Sequence, residues 1–211
     1  MALAATSIGG LAAAANTSVA REYHAGLAVR SGIDAALAAA RGFVVEERIL
    51  EADKGFFRVF GGVEGASVGA SLGRDWDIAT HMAVKLLPGG HPYHAFAEAA
   101  ANAAREGDIR PEEVESIIVA RPGLTRLSGP LHPSNLIDMA HSPAYFTAAG
   151  VADHQFGWVH ASAAKIADSI IHRLIDKISV GPQPTENAAL YRQGATVTIR
   201  AHNGRDRKSV V

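Results

Sequence analysis

The sequence predicts an α+β protein: a helical piece over about residues 1–75, followed by an α+β piece over about 76–211. Three observations carry this. The first part has Ala-rich runs with a helical stripe and no alternating segment. From Ile78 onward, short β-branched runs alternate with helical patterns. Punctuation by Gly and Pro is dense between these runs, at Gly61-Gly62, Pro88-Gly89-Gly90 and Pro122-Gly123.

The elements follow in order. Residues 2–16 read as a helix of small residues, weakened by Gly9-Gly10. Leu27 to Arg41 reads as a second helix, with Leu27, Ile33, Ala36, Leu37 and Ala40 on one stripe and Gly42 as its stop. Residues 63–75 are Gly- and Ser-rich and read as a loop or short helix. Ile78 to Leu87 reads as a strand running into the Pro88-Gly89-Gly90 turn. Ala95 to Arg105 is a helix ended by Gly107, and Val114 to Ala120 is a strand stopped by Arg121-Pro122-Gly123. A polar loop with Pro130 and Pro133 leads to a helix over Leu136–Ala149, which Pro143 disturbs locally. Residues 163–175 form a further helix. Lys177–Val180 and Ala195–Ala201 read as two strands of a sheet edge. In the second, Val197 and Ile199 take one face and Thr196, Thr198 and Arg200 the other.

Composition narrows the functional classes. Hydrophobic residues make up 48% of the 211 positions and charged residues 19%, so the chain can bury a core. The net charge of -1 gives no pull toward a phosphate backbone, and aromatics at 6% offer little base-stacking surface, so no nucleic-acid partner is expected. Cysteine is absent, which excludes a disulfide scaffold, a thiolate nucleophile and Cys-ligated metals, and fits a reducing cytoplasm. The apolar start has no Lys or Arg before Arg21 and is interrupted by Gly9, Gly10 and Asn16, a poor match to a secretory signal. No apolar run reaches the roughly 18 residues of a membrane span, so no membrane partner is expected.

Three segments can carry chemistry. Two are basic, His-bearing loops placed before helices: Arg21-x-x-His24-x-Gly26, and Lys85 through His91 to His94. Anionic groups at either would also face the positive end of a helix. The plain alternative is a solvated lysine and capping histidines. The third segment is His141-Ser142-Pro143-Ala144-Tyr145, where Tyr145 sits among Ala and Phe and is read either as a core tyrosine or as a functional hydroxyl. Ten histidines prompt a check for metal. His91 and His94 are spaced i, i+3, with His154 and His160 near each other, but no His-Glu-x-x-His helix and no suitably spaced acid accompanies them, so no metal is expected. Phosphate-loop, dinucleotide and Gly-x-Ser-x-Gly motifs are also missing.

Four blocks in order resemble the MmgE/PrpD family, which includes 2-methylcitrate dehydratase and cis-aconitate decarboxylase. Arg21-Glu-Tyr-His24-Ala-Gly26-Leu-Ala28 with Gly32 through Phe43 is similar to the family's Lys-x-Leu-His-x-Gly-x-Ala helix block. Leu50-Glu51 through Phe57 resembles its Glu/Gly-Phe segment. Lys85 through His94 resembles its Lys-x-x-Pro-Cys-Cys-x-x-x-His block, with Gly89-Gly90 in place of the frequent Cys pair. Ala140 through Ala149 resembles its Ser-x-x-Tyr helix. The resemblance runs through nearly the whole chain, from about Leu3 to Gly204.

The resemblance implies part of an all-α domain followed by an α+β lid, a homodimer, and a small di- or tricarboxylic acid as substrate. It implies a hydro-lyase that removes an α-proton and loses water without metal or organic cofactor. Isomerase, epimerase or decarboxylase chemistry on the same scaffold is a second reading. The family's decarboxylase histidine would fall at Gly90, one place before His91, which argues against decarboxylation. Lys85, Tyr145 and His91 are the implied catalytic residues; Arg21, His24 and His94 are the implied substrate-binding ones. Family members are longer. The N-terminal helical region with the Asp/Thr/His motif and the C-terminal return have no counterpart here, so a fragment without catalysis is the third reading.

Overall fold

A computed structural model describes residues 2–6, 20–62, 70–184, 189 and 192–211. Contacts divide the chain into two compact units, one carrying the described residues up to Val84 and the other running from Lys85 to Val211.

In the first unit, helix α1 spans Ala20–Ala40. It begins a full two turns before Leu27, because the Arg21–Gly26 block is itself helical. Most side chains along α1 are exposed, including Val29, Ile33 and Leu37. A π-helical turn over Phe57–Gly61 ends on Gly62 in the left-handed region. Gly55 is the one buried residue described here, and a Cβ on it would collide with the Ile49 carbonyl oxygen. Of the helix expected over 2–16, residues 2–6 are described, as a turn and a 3-10 turn at Ala4–Thr6; residues 7–16 lie outside the described residues.

The strand expected over Ile78–Leu87 does not form. Asp77–Thr80 is a helical turn, and the residues after it are irregular. Ile78, Met82, Val84 and Leu86 are all exposed, so among the described residues this apolar run has no neighbouring strand or core face to bury against.

The second unit holds the core. Helix α2 (His94–Gly107) buries Phe96 and six alanines on one face. Its left-handed terminal position falls to Asp108, at φ 47, rather than to Gly107; Asp tolerates this conformation better than most residues. Strand β1 (Val114–Ala120) lies at the centre of a four-stranded sheet with β2 (Ile178–Val180), β3 (Thr196–Ala201) and β4 (Asp206–Val210), in the order β2-β1-β3-β4. The β1–β2 pairing is parallel and the other two are antiparallel. Strands β2 and β3 therefore flank β1 on opposite sides instead of forming one edge together. The expected alternation holds in β3: Val197 and Ile199 are fully buried and Arg200 is exposed. Strand β4, with sequence DRKSV, carries no apolar alternation and is not expected from sequence; it forms because β3 offers it a ladder.

The helix expected over Leu136–Ala149 is two helices, α3 (Leu136–Ala140) and α4 (Pro143–Asp153). Pro143 has no N–H to continue the first, and Ser142 starts the second by accepting from the Tyr145 backbone N–H at 3.1 Å. The helix expected over 163–175 is likewise divided into α5 (Ala163–Ile166) and α6 (Ser169–Ile175), with the Asp168 carboxylate capping α6 through the Ile170 N–H at 2.8 Å. Helix α2 packs on α4 and against β3 and β4, and α6 also packs on α4. The α2–α4 approach is close: a Cβ on Gly150 would collide with the Ala97 carbonyl oxygen. No described helix is long and apolar enough to cross a membrane.

Candidate functional site

The six residues singled out from sequence fall on two units. Arg21 and His24 lie in the first two turns of α1, in the first unit; the Arg21 side chain is outside the described residues. The His24 ring is partly buried and tilted against Tyr23, with centroids 6.4 Å apart. Lys85, His91, His94 and Tyr145 belong to the second unit.

Three of these share one turn. The chain from Lys85 descends to the buried Pro88, reverses at Gly89 (φ 82), and enters a 3-10 turn at His91–Tyr93 that continues into α2 at His94. The exposed Lys85 ammonium donates to the Gly89 carbonyl at 3.1 Å, which closes the turn and leaves two of its three N–H donors. Gly90 is held from the opposite side, its N–H donating to the Ala140 carbonyl at 2.8 Å. Neither Gly89 nor Gly90 has room for a side chain: a Cβ would come within 2.5 Å of the Phe146 ring at the first and 2.9 Å of the Tyr93 ring at the second.

His91 is exposed, and its ring stands edge-on to that of His94 at 5.1 Å. His94 is stacked on Phe146, with centroids 6.0 Å apart and an 18° interplanar angle. The His94 Nε2 is buried without a hydrogen-bond partner. Burial lowers the His94 pKa from its ordinary value, and the nearby His91 and Lys85 charges add to the effect; hydrogen bonding to the Pro88 and Gly89 carbonyls opposes it.

Tyr145 is placed differently. It is fully buried on α4, and its hydroxyl donates to the His160 carbonyl at 2.9 Å. Burial pushes its pKa well above the usual phenol range, helped by the Asp168 and Asp153 charges.

Several residues that no local signal marked complete the arrangement. Phe146 also stacks on Phe156 at 4.6 Å, and Phe156 on His160 at 4.8 Å, so an aromatic column runs from His94 to His160. His160 is fully buried with both ring nitrogens engaged. Nδ1 accepts from the Gly157 N–H at 3.0 Å, and Nε2 faces the Asp153 carboxylate at 3.0 Å. Lys165 bridges Asp153 at 2.5 Å and Asp168 at 3.3 Å. The first of these bonds is the main reason its pKa is raised. Arg121, directly after β1, donates to the Pro92 carbonyl at 2.6 Å and covers the Phe96 ring at 5.0 Å, pinning the His91–His94 turn to the end of the sheet. Only its position after the strand is visible in sequence.

The second unit thus presents a cationic Lys85 beside two contacting imidazoles at the start of α2, an arrangement that can bind an anion and move a proton. Among the described residues, no three His, Asp or Glu side chains are grouped to hold a metal ion. No curated protein matches the chain. Residues 88–211, well over half of the chain, match the MmgE/PrpD C-terminal domain; the match takes in His91, His94 and Tyr145 and begins just after Lys85. The chain belongs to the MmgE/PrpD family.

Proposed function

We propose that this chain is part of a hydro-lyase acting on a small di- or tricarboxylic acid such as 2-methylcitrate. The observation that carries the reading is the Lys85–His91–His94 turn, within a chain of a dehydratase-type family.

The chemistry requires a cation, a base and an acid. When the C–H bond next to a carboxylate breaks, its electron pair delocalises as an enolate, and a fixed ammonium stabilises that charge. The pair then forms the C=C bond as the C–O bond breaks, and the hydroxyl leaves as water after receiving a proton. Lys85 is assigned the cationic role. His91, exposed beside it, is assigned to proton transfer. Tyr145 stands with them in the catalytic set that the resemblance implies, although its hydroxyl reaches a substrate only by releasing the His160 carbonyl. The resemblance also implies Arg21, His24 and His94 as substrate-binding residues, Arg by its suitability for bidentate carboxylate pairing.

The test is turnover of 2-methylcitrate to its unsaturated product by a polypeptide containing residues 1–211, compared with its Lys85→Ala variant. Loss of the ammonium is expected to lower kcat by ~10²–10³, the usual effect of removing one transition-state charge partner. Near-normal turnover by the variant would remove Lys85 from the mechanism. Product analysis separates this reading from the second one, since an isomerase or epimerase returns a saturated product.

A further inference from the structure

We propose that His94, through Nε2, is the proton-accepting group of this site, an assignment that rests on the lyase reading above. Its Nε2 is the one buried side-chain nitrogen or oxygen without a hydrogen-bond partner among the described residues. Buried polar atoms in folded proteins are almost always paired, so an unpaired one marks a group kept for something else.

Accepting a proton at Nε2 requires the neutral ring to carry its hydrogen on Nδ1, so that the lone pair lies on Nε2. The ring is held in place by its stack on Phe146 and its edge contact with His91. The charged groups acting on it, His91 and Lys85, both sit on the preceding turn and both disfavour a second positive charge; Phe146, facing it from α4, carries none. The lone pair therefore persists at neutral pH, the state a base needs.

The other candidates are engaged. Tyr145 donates its only proton to the His160 carbonyl and resists ionisation. His160 uses both nitrogens, on Gly157 and Asp153. In the reaction, Nε2 takes the α-proton and the C–H electron pair becomes the enolate beside Lys85. The C–O bond then breaks as C=C forms, and the hydroxyl departs as water with a proton from His91. Exchange with solvent returns the proton from His94 and restores the one lost by His91.

Two measurements test this on a polypeptide containing residues 1–211. In the first, long-range ¹H–¹⁵N correlation spectra of histidine-labelled protein, with His94 identified by its loss in His94→Gln, read the tautomer directly. A neutral ring with its proton on Nδ1, titrating below free histidine, is expected. A proton on Nε2, or titration at or above the free value, overturns the assignment whatever the activity. In the second, turnover of 2-methylcitrate and solvent deuterium incorporation at its α-carbon are compared between the unaltered protein and His94→Gln. A fall of about a hundredfold or more in kcat, with loss of deuterium incorporation, is expected for a missing base. Turnover by the variant within a few fold of the unaltered protein overturns this assignment alone. Absence of turnover by the unaltered protein overturns the lyase reading and this one with it.

Discussion

Replacing Gly89 by alanine places a methyl group where the folded chain has no space for one. At φ 82 any residue with a Cβ is strained, and the Cβ itself would sit 2.5 Å from Phe146 Cζ, 3.1 Å from its Cε2 and 3.2 Å from the Ala140 Cα. The first effect costs ~1–2 kcal/mol for an L-residue in the left-handed region. The second is overpacking against a core ring and a backbone atom, ~1–3 kcal/mol. The two are separable because Gly123 provides a control. It has nearly the same φ, 80, yet nothing lies within 4 Å of its Cβ position. Gly123→Ala therefore reports strain alone, and the difference between the two variants reports the contact, ~1–3 kcal/mol. Urea denaturation of both variants, followed by the helical circular dichroism signal, gives that difference from the shift in midpoint at constant slope. Equal midpoints for the two variants would refute the packing of Phe146 under the turn, and with it the platform on which His94 is stacked. A displaced Phe146 should also move the His94 ring resonances in Gly89→Ala but leave them in place in Gly123→Ala.

Three other outcomes follow from the same packing. Tyr145→Phe keeps the buried ring but leaves the His160 carbonyl without its donor, so a loss of ~1–3 kcal/mol is expected; an unchanged thermal midpoint would show that the hydroxyl is not engaged there. Gly150→Ala gains ~1 kcal/mol of helix propensity but forces a methyl onto the Ala97 carbonyl oxygen and to 3.1 Å from the Ala100 methyl. Overpacking of ~1–3 kcal/mol makes the net change destabilising, and a raised midpoint would contradict the close α2–α4 approach. Because the folded pKa of His94 lies below the ordinary histidine value, folding favours the neutral ring. Its contribution to stability is present above that ordinary value and is lost as the pH falls through the folded pKa. His94→Gln should therefore flatten the acid side of the stability profile, and a profile parallel to that of the unaltered protein would remove the effect.

Much of the second unit is legible in the sequence because its signals are local. The alanine face of α2 and the β-branched run of β1 carry their own periodicity, and β1 forms over the residues read for it, Val114–Ala120. The alternation of β3 is likewise written in its side chains. That Lys85, His91 and His94 share a neighbourhood follows from their spacing around a Pro-Gly-Gly turn alone. Charge balance and the missing cysteines exclude whole classes of chemistry in the same way.

What needed the folded chain depends on partners distant in sequence. An apolar run becomes a strand only beside another strand, which is why Ile78–Leu87 forms no strand and stays largely exposed while the charged DRKSV segment pairs with β3. Composition does not reveal that β2 and β3 lie on opposite sides of β1, because strand order is a choice among long-range pairings. Nor does Tyr145 announce that its hydroxyl is held by a carbonyl beyond the end of α4, or His94 that Phe146 will fix its ring and leave Nε2 buried without a partner. The sequence supplies the ionisable groups. Burial, stacking and the direction of each hydrogen bond set which of them keeps a free lone pair, and those are properties of the packed core.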